Sequence, residues 1–180
     1  QGAYEVFDLE RVLFMPCAQP PHKGKAALAP ARHRLAMLEA AVEHDTRFEV
    51  CDAEIRRGGV SYTVDTVRQL LGLYPDARLF FIIGLDTLLE LHTWKSIHEL
   101  LEMCEFVTFV RPGVKADAVR EADLKLKAPW PEKLLKNVNA GIRVDISSSD
   151  IRYRVAEGMS IRYLVPMEVE IYISEHGLYR

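Results

Sequence analysis

The run Leu79-Phe80-Phe81-Ile82-Ile83 constrains the fold more than any other stretch of this chain. Five consecutive apolar residues without polar alternation suit a central parallel strand covered on both faces. Shorter strand patterns fall at Arg11–Met15, at Phe48 and Val50 with Ala53 as a candidate last residue, at Phe106–Val110 and at Ile142–Ile146. Helical patterns lie between them. Residues 3–9 read as the end of a helix. Arg32–His44 places Leu35, Leu38 and Val42 on one face. Thr63 stands where it can cap a helix carrying Val67, Leu70, Leu71 and Tyr74, which Pro75 stops. Ser96-Ile97-His98-Glu99 has the spacing of a capping box. Ile151–Glu157 forms an amphipathic helix that ends at Gly158, and a last helix has Pro166 as its first residue and Gly177 as its stop. Arg56-Arg57-Gly58-Gly59 reads as a turn, and Pro129-Trp130-Pro131 as a loop with an apolar anchor. The charged run Lys115–Lys127 reads as a solvated helix face or an excursion. Alternation of strand and helix gives an α/β, doubly wound parallel sheet, a single domain over residues 1–180.

Composition excludes several functions. A net charge of -3 over 180 residues argues against a general surface for nucleic acid, so any phosphate site must be built locally. Leu79–Leu85, the longest strongly apolar run, is far too short to span a bilayer. No basic-then-apolar leader is visible, and the chain starts at Gln1 rather than Met. Cys17, Cys51 and Cys104 have no metal or redox spacing. They read as buried thiols in a reducing cytoplasm.

Several chemistry-bearing segments follow strands, where open α/β sheets bind ligands. Ile146-Ser147-Ser148-Ser149-Asp150-Ile151-Arg152 joins a strand to a helix start. Free N–H groups, hydroxyls and the helix dipole make an anion site there, and Arg152 lies one turn in. An ordinary Ser cap with a solvated Arg fits the same spacing. Pro20-Pro21-His22-Lys23 is a stiff cationic loop, or a plain linker. Asp86 in Gly84-Leu85-Asp86 can accept from a ribose hydroxyl, or cap the next helix. Trp94 is flanked by polar residues, which suits a stacking surface as well as a core position, and Arg111 ends the strand Phe106–Val110. Together these features describe a nucleotide site without fixing its reaction.

The chain resembles the bacterial nicotinate-nucleotide adenylyltransferases of the nucleotidyltransferase superfamily over about Ala3–Tyr179. The resemblance rests on Val12–Pro16, Pro20-Pro21-His22-Lys23, Ser61-Tyr62-Thr63-Val64-Asp65-Thr66 and Ile83–Asp86. It continues through Trp94-Lys95, Val110–Gly113, Ile146–Arg152 and Ser160–Pro166. It implies a Rossmann-like fold and adenylyl transfer from ATP to nicotinate mononucleotide, giving deamido-NAD and pyrophosphate in NAD biosynthesis, with a divalent cation, usually magnesium (Mg2+). It implies that Ser148, Ser149 and Arg152 hold the ATP phosphates and the leaving group, and that Gly84 and Asp86 receive the adenosine ribose. Thr63 would recognise the nicotinate carboxylate and Trp94 would stack on the pyridine ring. His22, Lys23 and Arg111 would lie near the mononucleotide. Ser149 stands where the family often has Thr, which keeps the hydroxyl. The small molecules are the expected partners, without nucleic acid or membrane, and a homo-oligomer is left open.

The family opens with a strand and a His-x-Gly-His signature, and the chain has no such sequence. None of His22, His33, His44, His92, His98 and His176 stands in that pattern, so its role passes to no residue here. The expectation is a Rossmann-like sheet lacking its first strand, in an N-terminally incomplete enzyme. A non-catalytic nucleotide-binding remnant is the alternative.

Overall fold

Parallel pairing governs every sheet contact between strands in the computed structural model, which describes residues 1–19, 28–110, 119–139 and 145–180. The elements run α1 (Gly2–Val6), β1 (Val12–Phe14), α2 (Ala31–Val42), β2 (Phe48–Val50), α3 (Ala53–Arg57), α4 (Thr63–Leu73) and β3 (Phe80–Gly84). They continue as α5 (Leu85–Glu90), α6 (Ile97–Met103), β4 (Glu105–Phe109), α7 (Trp130–Lys136), β5 (Val138–Asn139), α8 (Ser148–Ala156) and α9 (Met167–Glu175). Single 3-10 turns occupy Leu91–Thr93 and Glu121–Leu124. The chain divides into two compact units, residues 1–8 with 62–145 and residues 9–61 with 146–180.

The first unit holds the sheet β3-β4-β5. Phe81 pairs with Phe106 and Ile83 with Thr108, so these four side chains share one face. Val64 and Val67 of α4, Leu85 and Leu88 of α5, and Ile97, Leu100 and Leu101 of α6 pack with Ile83 and Phe106 on that face. On the opposite face Phe7, just after α1, meets Phe80 with ring centroids 5.5 Å apart. The central, most buried strand is β4, with Phe106, Val107 and Thr108 at or below 3% exposure. This corrects the sequence expectation for Leu79–Ile83. The described residues give β3 one strand neighbour, and Ile82 is 41% exposed.

The second unit pairs β1 with β2, Val12 facing Phe48 and Phe14 facing Val50. Its core is Ile151, Ile161, Val169, Ile173 and Leu178, with Met37 of α2 and Tyr172 of α9 packed against it. His33 Nδ1 lies 3.0 Å from the Tyr172 hydroxyl, and Tyr172 stacks on His176 with centroids 4.0 Å apart. Loss of water and the nearby charges of Arg32 and His176 hold the His33 pKa below its ordinary value.

Several boundaries differ from the sequence reading. Ala53 opens α3 rather than ending β2, and Arg56 and Arg57 are its last residues, with Gly58 and Gly59 at φ +68° forming the turn. Pro129-Trp130-Pro131 opens α7 instead of forming a loop. Pro at an early helical position lacks only an N–H that would have no intrahelical acceptor. Pro166 is the N-cap of α9, one place before the first helical residue. Of the run Lys115–Lys127, residues 115–118 lie outside the described residues, and Leu124 in the remainder is fully buried. Of the expected strand Ile142–Ile146, residues 142–144 lie outside the described residues, and Asp145 and Ile146 belong to no strand. Beside β4 the paired strand is Val138–Asn139. Burial of all three thiols was expected. Cys104 is buried and its pKa is pushed up to about 12 by desolvation, whereas Cys17 and Cys51 are half-buried.

Candidate active site

The serine turn belongs to the second unit. Helix α8 starts at Ser148, three residues earlier than the apolar pattern suggested, because Ser147 supplies the cap. Its Oγ accepts from the Asp150 N–H at 3.1 Å and donates to Asp150 Oδ2 at 2.6 Å. That reciprocal bond fixes the first turn. The N–H groups of Ser148 and Ser149 come before any intrahelical acceptor is available, so they remain for an external oxygen. Arg152 turns back toward them, its Nη2 donating to Ser149 Oγ at 3.2 Å. The expectation that Arg152 points at the helix start is met, and hydroxyls, N–H groups and a guanidinium converge there.

Two further side chains of this unit share an electrostatic neighbourhood with Arg152. Arg34 of α2 donates to the Ala29 carbonyl and the Ala18 carbonyl, each at 3.1 Å, with Cys17 Sγ at 3.6 Å. Tyr179 has its pKa raised by burial, while the guanidiniums of Arg152 and Arg34 pull the other way. The sequence reading passed over both. Arg34 interrupts the apolar face of α2, and Tyr179 follows the stop Gly177, which were the available signals.

The other expected residues belong to the first unit. Gly84 ends β3 and is the N-cap of α5, and Asp86 is the second residue of that helix. A Cβ on Gly84 would stand 2.5 Å from Asp86 Oδ1, so only glycine leaves the carboxylate where it is. Asp86 is exposed just past the end of β3 and is not the helix cap. Thr63 is the first residue of α4, not its cap. That place is taken by Tyr62, whose side chain makes no cap bond. Trp94 is half-buried and stands edge-on to Phe81 (5.8 Å, 90°) and Phe106 (6.2 Å, 69°).

A charged chain runs past these groups. Lys95 Nζ is 3.1 Å from Asp65 Oδ2 and 4.3 Å from the centre of the Tyr62 ring. Asp65 Oδ1 accepts from Arg68 Nη1 at 2.8 Å, and Arg68 grips Glu99 at 2.6 to 2.8 Å. The bonds to Glu99 raise the Arg68 pKa. The expected capping box at Ser96 does not form. Glu99 is drawn to Arg68, and Ser96 adopts φ +51°, ψ +42° with no cap bond. Asp65 and Lys95 were within the sequence motifs, but their pairing across 30 residues had no local signal.

His22, Lys23 and Arg111 lie outside the described residues. Among the described residues no group of three or more His, Cys, Asp or Glu could hold a metal, and no helix is long and apolar enough to cross a membrane.

The sequence profile of the cytidylyltransferase-like family matches residues 1–154. A protein of Halalkalibacterium halodurans named "Probable nicotinate-nucleotide adenylyltransferase" is 43% identical over 181 residues, covering all of this chain and 82% of that protein. One of the same name from Thermus thermophilus is 44% identical, covering 99% of this chain and 88% of its own length. Among solved structures, the nicotinic acid mononucleotide adenylyltransferase of Plasmodium falciparum complexed with NaAD superposes with a TM-score of 0.70. It is 19% identical over 95% of this chain and 83% of its own, a likeness of fold.

Proposed function

Since this chain belongs to the nicotinate-nucleotide adenylyltransferase family, we infer that it transfers the adenylyl group of ATP to nicotinate mononucleotide, a step of NAD biosynthesis. A phosphate oxygen of the mononucleotide forms a bond to the α-phosphorus of ATP as the bond from that phosphorus to the β-phosphate oxygen breaks. Deamido-NAD and pyrophosphate are the products. No covalent intermediate on the protein is required, so catalysis is positioning and charge stabilisation.

The observation that carries this reading is the turn in which Ser147 caps α8 while Arg152 reaches back to Ser149. Charge-assisted bonds from a guanidinium and helix N–H groups are what a polyphosphate leaving group takes. Ser148, Ser149 and Arg152 hold the ATP phosphates. Asp86 accepts from the adenosine ribose, beside a glycine where any Cβ would push the carboxylate aside. Thr63, at the start of α4, receives the nicotinate carboxylate, and Trp94 offers its ring to the pyridine. A divalent cation such as magnesium would accompany the ATP phosphates and would neutralise part of their charge. The family profile runs through both units, and we take residues 1–180 as one nucleotidyltransferase-like domain, placed in the cytoplasm.

The test is pyrophosphate release from ATP and magnesium with nicotinate mononucleotide, and with nicotinamide mononucleotide as the control acceptor. Turnover that prefers the acid and yields deamido-NAD supports the reading. Tight mononucleotide binding without pyrophosphate release would overturn it.

A further inference from the structure

Helix α4 begins in an unusual way. Its N-cap, Tyr62, brings no side-chain acceptor, and Asp65 stands at the third helical position. An acidic side chain there ordinarily turns back to the N-cap N–H and closes the helix start. Here both Asp65 oxygens are engaged elsewhere, one by Lys95 Nζ at 3.1 Å and the other by Arg68 Nη1 at 2.8 Å. Arg68 is itself held by Glu99 of α6. Lys95 has its ammonium over the Tyr62 ring and lies between Trp94, fixed on Phe81 and Phe106, and Ser96 in the left-handed region. These four charges are each a third to a half exposed and sum to zero. The aromatic and aliphatic core beneath them is complete without them.

We propose that Lys95, with Arg68, holds the Asp65 carboxylate off the start of α4 and so keeps that helix start open to the carboxylate of the acceptor. The inference rests on the reading that Thr63 and Trp94 receive the nicotinate. Lys95 is a positioning residue. Its removal lets Asp65 swing back to the N–H groups of its own helix, where it competes with an acidic ligand and adds a like charge beside it. An amide acceptor is indifferent to that charge. The pair thus sets the preference for acid over amide.

The experiment measures mononucleotide binding by calorimetry, which does not depend on turnover, with the acid and the amide titrated separately into four proteins. For Lys95→Met the dissociation constant for nicotinate mononucleotide rises about fivefold, in proportion to an exposed charge interaction, and that for nicotinamide mononucleotide stays within twofold. Lys95→Arg restores acid binding. The double variant Lys95→Met/Asp65→Asn, with no carboxylate left to swing back, returns to within about twofold of the parent. The inference is overturned if Lys95→Met weakens both ligands alike or neither, or if the double variant is as weak as the single. A parent chain that binds the two mononucleotides equally, or binds neither, overturns the functional reading itself.

Discussion

The two units hold their own candidate residues by opposite means. In the first unit Leu88, Leu91, Leu100, Leu124, Val64, Val67 and Val107 are each at or below 2% exposure. The ends of β3 and α4 and the ring of Trp94 are carried on that packing. Among the described residues of the second unit the core cluster is five side chains, none of them below 4% exposure, and α2 contributes no fully buried residue. Its serine turn is held by the Ser147–Asp150 bonds and by Arg152 on Ser149. The difference follows from what each would bind. A ribose and an aromatic ring need a platform of fixed shape, and packing supplies shape. A polyphosphate needs N–H groups and cations that stay near water until it arrives, and polar capping supplies these without burying a charge.

The sharpest way to break this contrast is to remove packing from each unit in turn. Leu100→Ala leaves a void at a fully buried position of the first unit, and should cost about 2–5 kcal/mol in urea unfolding. Met37→Ala in the second unit removes a partly buried side chain and should cost less, roughly 1 kcal/mol. Equal losses would mean that the second unit is held by packing as much as the first. Arg152→Ala makes the reverse cut. It removes no core contact, so the urea midpoint should stay near the parent value, while pyrophosphate release falls about 100-fold. Arg152→Lys should recover only a part, because an ammonium lacks the guanidinium's forked donors. A midpoint that drops along with the rate would make Arg152 structural.

Ser147→Ala tests the polar scaffold itself. It removes the acceptor of the Asp150 N–H and frees the Asp150 carboxylate beside the serine turn. Loss of such a cap costs about 1 kcal/mol. The dissociation constant for ATP should rise as well, since an unheld carboxylate faces the incoming phosphates. A loss of stability with unchanged ATP binding would separate the cap from the site.

Much of this contrast could be read from the sequence, and what could not has a common cause. The serine turn was legible because a cap is local: Ser147, Asp150 and Arg152 lie within six residues and their spacing states their bonds. That Gly84 ends β3, with Asp86 just after it, was legible for the same reason. Sheet depth was not, because the apolar run Leu79–Ile83 reports hydrophobicity and not the number of neighbouring strands. Burial fell to β4, which carries Thr108 in its fully buried stretch. Arg34 and the charged chain are long-range: Arg34 meets Ala18 16 positions away, Lys95 meets Asp65 30 away, and Arg68 meets Glu99 31 away. Periodicity carries no information about such partners. The capping box at Ser96 shows the converse failure. The spacing was right, but Glu99 had a better partner in Arg68.

Ser96→Gly turns that failure into the finest test of how the first unit holds Trp94 and Lys95. If Ser96 capped α6, its loss would destabilise the protein, though glycine is a tolerable cap and the loss would be a few tenths of a kcal/mol. The observed backbone argues for the opposite sign. Ser96 sits at φ +51°, ψ +42° with its hydroxyl making no cap bond, and a non-glycine residue there is strained by roughly 1 kcal/mol. Glycine relieves that strain and adds freedom to the unfolded chain, so the net effect should be stabilisation of about 0.5 kcal/mol or less. Thermal unfolding should therefore show a midpoint equal to or slightly above the parent's. The same freedom loosens the link between Trp94 and α6, and acid binding should weaken by no more than about twofold. A lower midpoint with unchanged binding would return Ser96 to the role of a helix cap. A higher midpoint with weaker acid binding would mean that the strained residue is kept because it aims Lys95 at Asp65.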